Sequence, residues 1–505
     1  MDCLKYHIKN VWLVRGDGSG PVRGEVLVSA DGRLLSCGPS YISCGTVIDG
    51  RGKMLVPGLI DVHGHSDISV IASPGGFSKV SQGVTTEIAG NCGLSAFPLT
   101  ERNREHLEEL YAQYHVPLSW SSFSSYRQLL KEKECVPDLI PLCGHNTLRA
   151  AVAGYEKKTL DRAEAEEMKQ LLAAALEEGA PGLSTGLLYV PGKFASPGEI
   201  IELMKVLAAH GKIYATHLAS EGDRLLESLE ETLMCVREAG LKKVQISHFK
   251  TAGPANWHKL DTAVDMIQSA RKGGISVTVD RYPYTESMTQ LSVILPGEWA
   301  DLDDIAIEKR LRNSEEKREL ARLLSQSRSA DYWQRVRLVS TGVEKYRSSC
   351  GKFLTEIAGD PVMLAVELLA LDAAGTCAAF SGMSEENLTR ILQLPFCMPG
   401  SDGNALPADH SLGRAHPRAF GTAVRFLRRL LEMNVSPGEA VYRATGLPAE
   451  TFGLTDRGLL RQQLRADLVL LDPEDLEDRA DFASPHTPAR GIIWTMVNGR
   501  IVYRS

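Results

Sequence analysis

The stretch Leu55-Val56-Pro57-Gly58-Leu59-Ile60-Asp61-Val62-His63-Gly64-His65-Ser66-Asp67 decides how the rest of the chain is read. An apolar run, Leu59 to Val62, ends in two histidines spaced i, i+2, which on a strand share one face. Pro57-Gly58 punctuates the start, and Gly64 leaves the backbone room beside whatever the histidines hold. Neutral imidazole is the commonest protein ligand for Zn²⁺. A lone His-x-His pair is weak evidence, so the weight falls on the rest of the chain.

Downstream, short apolar runs alternate with stretches of helical period. The runs are Leu59–Val62, Val84–Ala89, Leu139–Leu142, Gly182–Leu187, Ile213–Thr216, Val244–Ser247, Ile275–Val279 and Pro395–Pro399; helical patterns include Arg162–Glu178, Pro197–His210, Asp223–Ala239 and Lys259–Gly273. Eight strands alternating with helices predict an α/β fold of parallel βα units, a (β/α)₈ TIM-like barrel whose active site lies at the C-terminal strand ends. Before the barrel, residues 6–55 read as short strands and turns, with a hairpin signal at Asp31-Gly32. After it, Ala466–Leu471 and Ile493–Tyr503 read as strands, the second turning at Asn498-Gly499. A small β-sandwich domain built from both chain ends is expected. The division is residues 1–55 and 451–505 for that domain and 56–450 for the barrel, with a charge-rich inserted subdomain after strand 7 at about 297–350.

Composition narrows the function classes. The chain has 505 residues, 43% hydrophobic and 24% charged, with net charge −7, a soluble globular profile. No basic stripe appears, which disfavours nucleic acid or an anionic membrane as partner. No apolar run reaches the length of a membrane span. Ten cysteines are scattered without Cys-x-x-Cys pairs, and Met1 to His7 lacks the apolar core of a signal peptide. The expected compartment is the cytoplasm.

Five strand ends carry polar chemistry. Strand 1 brings His63 and His65, strand 2 runs into Gly90-Asn91-Cys92-Gly93, strand 5 ends at His217, strand 6 at His248 and strand 8 at Ser401-Asp402-Gly403. Singly, Cys92 reads as a buried apolar residue and Asp402 as a turn aspartate. Jointly, around one barrel mouth, they form a nitrogen, sulfur and carboxylate set suited to Zn²⁺.

With these residues in place the chain resembles the metal-dependent amidohydrolase superfamily, and within it the D-aminoacylases (N-acyl-D-amino-acid deacylases). The motifs are Val56–His65, Gln82-Gly83-Val84-Thr85-Thr86 with Gly90–Gly93, Gly182–Tyr189, Asp280-Arg281-Tyr282-Pro283-Tyr284-Thr285, Gly400–Gly403 and His416–Thr422. The closing Ala466–Val469 and Val497–Gly499 are typical of the superfamily's small β-domain. Three departures stand out: Leu218-Ala219-Ser220-Glu221 after His217, where many relatives carry arginine or asparagine nearby; Gln462-Gln463, where a glycine turn is usual; and Arg15, where an aspartate is usual.

The resemblance implies zinc-dependent hydrolysis of N-acyl-D-amino acids, small-molecule substrates. It implies a tight Zn²⁺ on Cys92, His217 and His248. A second, weaker divalent ion falls to His63 and His65, with Asp402 and Cys92 shared. Asp402 is the expected proton carrier, and a metal-bound Cys92 thiolate is a poor nucleophile. For the substrate's α-carboxylate the resemblance points to Lys250 and Tyr282, with Tyr189 a further candidate. The run Leu291–Pro296 holds no basic residue, which favours apolar substrate side chains, although the direction of Arg281 is not readable. His145, at the end of strand 3, reads either as a donor supporting the site or as a structural histidine. One rival is a cyclic-amide hydrolase of the hydantoinase or dihydroorotase type. Such relatives bring a carboxylated lysine from the fourth strand, where Gly182–Leu187 has none. The other rival is a barrel that has lost catalysis and only binds, which would be expected to lack a ligand or the base.

Overall fold

The computed structural model describes residues 4–38 and 45–505. The first three residues, on which part of the signal-peptide expectation rests, lie outside the described residues. Eight strands make the barrel: Leu59–Asp61, Val84–Ala89, Asp138–Pro141 continued by Cys143–Gly144, Gly182–Gly186, Ile213–His217, Lys243–Ile246, Ser276–Arg281 and Cys397–Pro399. They pair in parallel in chain order. The ring closes where Val62 N–H donates to Pro399 O at 3.1 Å and Gly64 bridges Gly403. Ile60, Val62, Ile88, Leu142, Ile213, Ala215 and Met398 fill its interior, so the barrel is a packed core and not a pore.

Local sequence chemistry sets the helices between the strands. Asp161 caps Arg162–Glu177 by accepting from Ala163 and Glu164 N–H, while Glu164 reaches back to Asp161 N–H. That reciprocal box satisfies orphan donors of the first turn. Ser196 caps Pro197–Ala209, with proline at the first helical position, where its missing N–H costs nothing. The amphipathic faces then bury Met168, Leu172, Leu203 and Leu207 against the barrel.

Both chain ends meet in one eight-stranded sheet. Its path runs Arg500–Arg504, Ile492–Val497, Leu468–Leu471, Met54–Pro57, Leu4–Leu13, Val22–Ser29 and Leu34–Gly38, with Thr46–Asp49 pairing Leu4–Leu13 off that path. Leu4–Leu13 changes neighbour half way: Tyr6–Lys9 pair with Thr46–Asp49, and Trp12-Leu13 with Met54-Leu55. The sheet therefore forks and encloses its own core of Ile8, Val26, Leu34, Leu55, Leu470 and Trp494. It is a two-faced packing made by one forked sheet and not by two separate ones. At the predicted turn Asn498 and Gly499 have φ of 47° and 69°, the paired left-handed residues of a tight hairpin.

The insertion is longer than the charge run suggested. Glu286–Gln290, Val336–Ser340 and Cys377–Ser381 form an antiparallel sheet, so its ends lie outside 297–350. Leu291, Trp299, Leu320, Trp333, Leu354 and Leu368 give it a separate core. Glu286 pairs with Ser381, nearly a hundred residues on, and such distant pairing leaves no local mark in sequence. Among the described residues no helix is long and apolar enough to cross a membrane.

Candidate metal centre

The parallel register brings the strand ends level: Gly186 pairs with His217 and Thr216 with Ile246. Cys92, His248 and Asp402, just past three strand ends, adopt φ of 52°, 33° and 50°. Non-glycine residues rarely take this left-handed conformation, and clusters of such residues mark functional sites. Each turns its side chain back over the barrel mouth.

Cys92 Sγ is the hub. It lies 3.4 Å from His63 Nε2, 3.6 Å from His217 Nδ1 and 3.5 Å from His248 Nε2. Zinc bonds of about 2.3 Å to sulfur and 2.0–2.1 Å to nitrogen, at a tetrahedral angle, put sulfur and nitrogen about 3.5 Å apart. Each of these separations is one that a sulfur and a nitrogen on a shared zinc ion would have. Ligand atoms of His63, Cys92, His248 and Asp402 lie within 4.8 Å of one another, as do those of His217, Glu221 and His248. His65 stands at the edge, its Nε2 3.0 Å from Asp402 Oδ1. His217 Nε2 is buried without a hydrogen-bond partner.

Electrostatics suit a cation. Burial opposes ionisation of Cys92, yet the His63 and His248 rings, with hydrogen bonds from His217 and His248, hold the thiol well below its ordinary range. Burial likewise opposes the charge on Asp402. Arg418, the His65 hydrogen bond, His248 and His63 outweigh it and hold the carboxyl well below the usual range. Asp402 is thus a carboxylate, with Arg418 Nη1 3.0 Å from its Oδ2.

Several supporting residues escaped the sequence reading. Asp280 Oδ2 lies 3.3 Å from His63 Nδ1, and its Oδ1 accepts from His248 N–H at 2.8 Å. Glu221 Oε1 is 2.7 Å from His248 Nδ1. Carboxylates behind histidines orient the rings and raise their basicity. Glu221 belongs to the segment singled out as a departure, and here it supports the ligands. Lys79, fully buried, reaches Asp61 Oδ2 at 2.7 Å, Ser401 Oγ at 2.9 Å and Glu87 Oε2 at 3.1 Å, tying the loops that carry His63 and Asp402. The space that Gly64 leaves is taken by Glu87: a Cβ there would sit 2.0 Å from Glu87 Oε1.

The expected carboxylate binders fall in one cavity with the ligands, but differ in state. Tyr282 is fully buried, its hydroxyl has no hydrogen-bond partner, and the Arg281 and Arg418 guanidiniums lie 4.2 and 4.6 Å from its ring centroid. Lys250 Nζ is held by Glu221 Oε1 and lies 2.7 Å from His248 Nδ1, so its charge is paired inside the protein. Arg418, in the recognised His416–Thr422 motif but assigned no role there, lines the same cavity beside Asp402. Tyr189 packs edge-on to His217 and its hydroxyl is 3.1 Å from Thr289 Oγ1. Tyr284 bonds Asp478, away from the ligands. Arg281 is buried and donates to Tyr284 O. His145 Nε2 is 2.9 Å from Glu199 on helix Pro197–Ala209, a structural contact.

Comparison with known proteins agrees with this architecture. A model of the amidohydrolase family matches residues 46–196 and 408–503. An N-acyl-D-aspartate deacylase of Alcaligenes xylosoxydans xylosoxydans is 34% identical over 96% of this chain and 89% of its own length. A D-aminoacylase from the same organism is 32% identical over 97% and 93%. The crystal structure of N-acyl-D-glutamate deacylase from Bordetella bronchiseptica, complexed with zinc and a phosphonate mimic of the tetrahedral intermediate, superposes with a TM-score of 0.83. It shares 31% identity over 99% of this chain and 97% of that one.

Proposed function

The chain belongs to the N-acyl-D-amino-acid deacylases of the amidohydrolase family, and from that premise we propose that it hydrolyses the amide bond of N-acyl-D-amino acids to a carboxylate and the free D-amino acid. One observation supports the residue assignments: the threefold contact of Cys92 with three histidines opens into the cavity that holds an ionised Asp402 and the unpartnered Tyr282 hydroxyl. Cys92, His217 and His248 hold the tight zinc ion; His63, His65 and Asp402, with Cys92 shared, offer a second, weaker divalent site. Bound zinc supplies a Lewis acid for the acyl carbonyl and brings the pKa of water towards neutrality.

The residues divide the remaining work. Asp402 takes the proton of the attacking water and passes it to the departing amine nitrogen. Arg418 and His65 aim that carboxylate, while Asp280 and Glu221 fix the tautomers of His63 and His248. Tyr282 and Arg418 receive the α-carboxylate, and Lys250 joins them when its ammonium leaves Glu221. As the substrate carboxylate draws on Arg418, the hold on Asp402 relaxes and its basicity rises towards what proton transfer needs. The cavity lining includes the uncharged Ser287, Met288, Thr289 and Val293, which supports apolar substrate side chains, and also Arg328, Arg335 and Arg414, which would suit acidic ones. The fourth strand, Gly182–Gly186, has no lysine, against a cyclic-amide hydrolase.

Three contacts around one α-carbon admit one hand, and the family membership supports D. A screen of N-acetyl derivatives of D- and L-methionine, leucine, aspartate and glutamate, with hydantoin and dihydroorotate included, tests the reading. Turnover of D derivatives with L derivatives far slower is expected. Equal rates on both hands, or activity confined to the cyclic amides, would reject it.

A further inference from the structure

The cavity above the metal ligands has a volume of about 990 Å³. That is the upper end of the range, about 300–1,000 Å³, for pockets that enclose drug-sized ligands. An N-acetyl amino acid is much smaller. The surplus is shared between a wall from the insertion, with Leu295, Trp299, Ile307, Val336 and Phe380, and a wall after the second strand, and the barrel ring says which of them the acyl group faces. In a ring of eight, the second strand faces the sixth. The proposed carboxylate contacts stand after the sixth and seventh strands and in the loop after the eighth. The acyl group, joined through the scissile carbonyl on the other side of the metal ligands, therefore points towards the loop and helix after the second strand.

That wall is apolar by construction. Helix Glu101–Leu110 and the turn Ala112–Tyr114 place Leu107, Leu110, Tyr111 and Tyr114 at i, i+3, i+4 and i+7, one helical stripe. All four line the cavity, joined by Leu94 and, from the loop after the eighth strand, Leu412. Leu107 and Tyr114 are buried, while Leu94, Leu110, Tyr111 and Leu412 keep part of their surface open to the cavity. Of the helix's charged residues, Glu101, Arg102, Glu105, Glu108 and Glu109 are exposed, and the half-buried Arg104 is tied to Leu118 O by its guanidinium at 2.5 Å and does not line the cavity. Asn404 Nδ2 donates to the Tyr114 hydroxyl at 2.8 Å, fastening this wall to the loop that carries Asp402. His106, also on this side, stacks on Tyr155 at 3.8 Å between centroids. Asp67 lies at the foot of the wall, its Oδ2 accepting from Gly90 N–H at 3.2 Å. Open leucines beside a polar centre are costly in water unless a ligand covers them.

We propose that this wall receives the acyl group, and that the preferred substrates carry an extended apolar acyl chain longer than acetyl. The proposal rests on the deacylase reading and adds the acyl class to it. The reaction is the same hydrolysis: the C–N bond breaks, the water oxygen joins the acyl carbon, a proton goes to the amine, and the products are a long-chain carboxylate and a D-amino acid.

The test is a chain-length series on the intact protein loaded with zinc. The probes are the N-acetyl, N-butanoyl, N-octanoyl and N-succinyl derivatives of D-methionine and of D-aspartate. A fully buried methylene contributes a factor of about four, so even partial burial predicts kcat/KM rising by on the order of tenfold or more from acetyl to octanoyl. Leu110→Asp should pull that ratio back towards one. Acetyl equal to or better than octanoyl, or succinyl the best of the four, would overturn the proposal and leave the deacylase reading standing. No hydrolysis of any derivative would overturn both, and so separates the two failures.

Discussion

Two buried charge clusters sit at opposite ends of the same barrel, and they are built differently. At the start of the third strand, Asp138 lies 2.8 Å from Arg457, 3.0 Å from Arg465 and 3.3 Å from Arg127. Arg465 in turn reaches Asp467, which anchors the Asn498 turn of the end sheet through Asn498 N–H at 2.7 Å. This lower cluster sets each acid against a guanidinium, with Arg465 Nε and Asp467 Oδ2 3.2 Å apart but not hydrogen-bonded, and joins the barrel to the end sheet. At the upper end, four imidazoles crowd a thiolate and three carboxylates, His217 Nε2 and the Tyr282 hydroxyl lack partners, and three site residues are in left-handed backbone. Complementary pairs close on themselves; an array of ligands with spare donors and acceptors is incomplete until something binds. The contrast agrees with the barrel rule that the C-terminal face works and the N-terminal face stabilises.

Substitutions at the two ends should separate accordingly. The largest effect is expected at the top. Asp402→Asn keeps the shape and removes proton-accepting ability, so kcat should fall by on the order of 10² or more, with unfolding by denaturant and tight zinc little changed. Near-normal turnover would remove Asp402 from the mechanism.

At the bottom, Asp138→Asn removes the acid shared by Arg457, Arg465 and Arg127 and leaves Arg457 with Asp456, 2.9 Å from its Nε. A loss of about 1–3 kcal/mol in unfolding free energy is expected, the range for losing hydrogen bonds to a charged group, with KM for the substrate unchanged. The same acid gives a pH signature. Burial raises the Asp138 carboxyl, but Arg457, Arg127 and Arg465 outweigh it and hold it below its ordinary value. A depressed folded pKa means its contribution is fully present above the unfolded value of about 3.9. It is lost as pH falls through the folded value. Stability measured down that window should drop in the natural chain, and that part of the slope should vanish in Asp138→Asn. An unaltered acid limb would show that Asp138 does not link the two ends energetically.

The smallest effect is expected outside both clusters. Gln463 stands where relatives usually have a glycine turn, and its φ is 72°. A non-glycine residue there costs roughly 1–2 kcal/mol, part of which glycine's greater unfolded freedom offsets. Gln463→Gly should stabilise by about 0.5–1 kcal/mol without touching activity. A lower midpoint would mean that the exposed side chain makes a contribution of its own.

The contrast also explains what the sequence could disclose. The convergence of His63, His65, Cys92, His217, His248 and Asp402 was legible because each closes an apolar run, and strand ends in a parallel barrel share one rim. The hairpin at Asn498-Gly499 was legible because its turn needs two left-handed residues in a row. Asp280, Glu221, Lys79 and Arg418 were not given roles because each acts on a residue of another strand or loop. Lys79 meets Ser401 across more than three hundred positions, and no local spacing records that. The insertion was placed too narrowly for the same reason, since the charge run marks its exposed helices and not the strands that close it.

The upper cluster is proposed as the metal centre on which the chemistry depends, and metal analysis of the purified protein beside its Cys92→Ala variant tests this most directly. About one tightly held zinc per chain is predicted, the stoichiometry of a three-ligand catalytic centre. In Cys92→Ala zinc and activity should fall together, by more than the roughly 10–100-fold typical of losing a mere supporting partner. Full zinc retention in a folded Cys92→Ala variant would contradict the assignment.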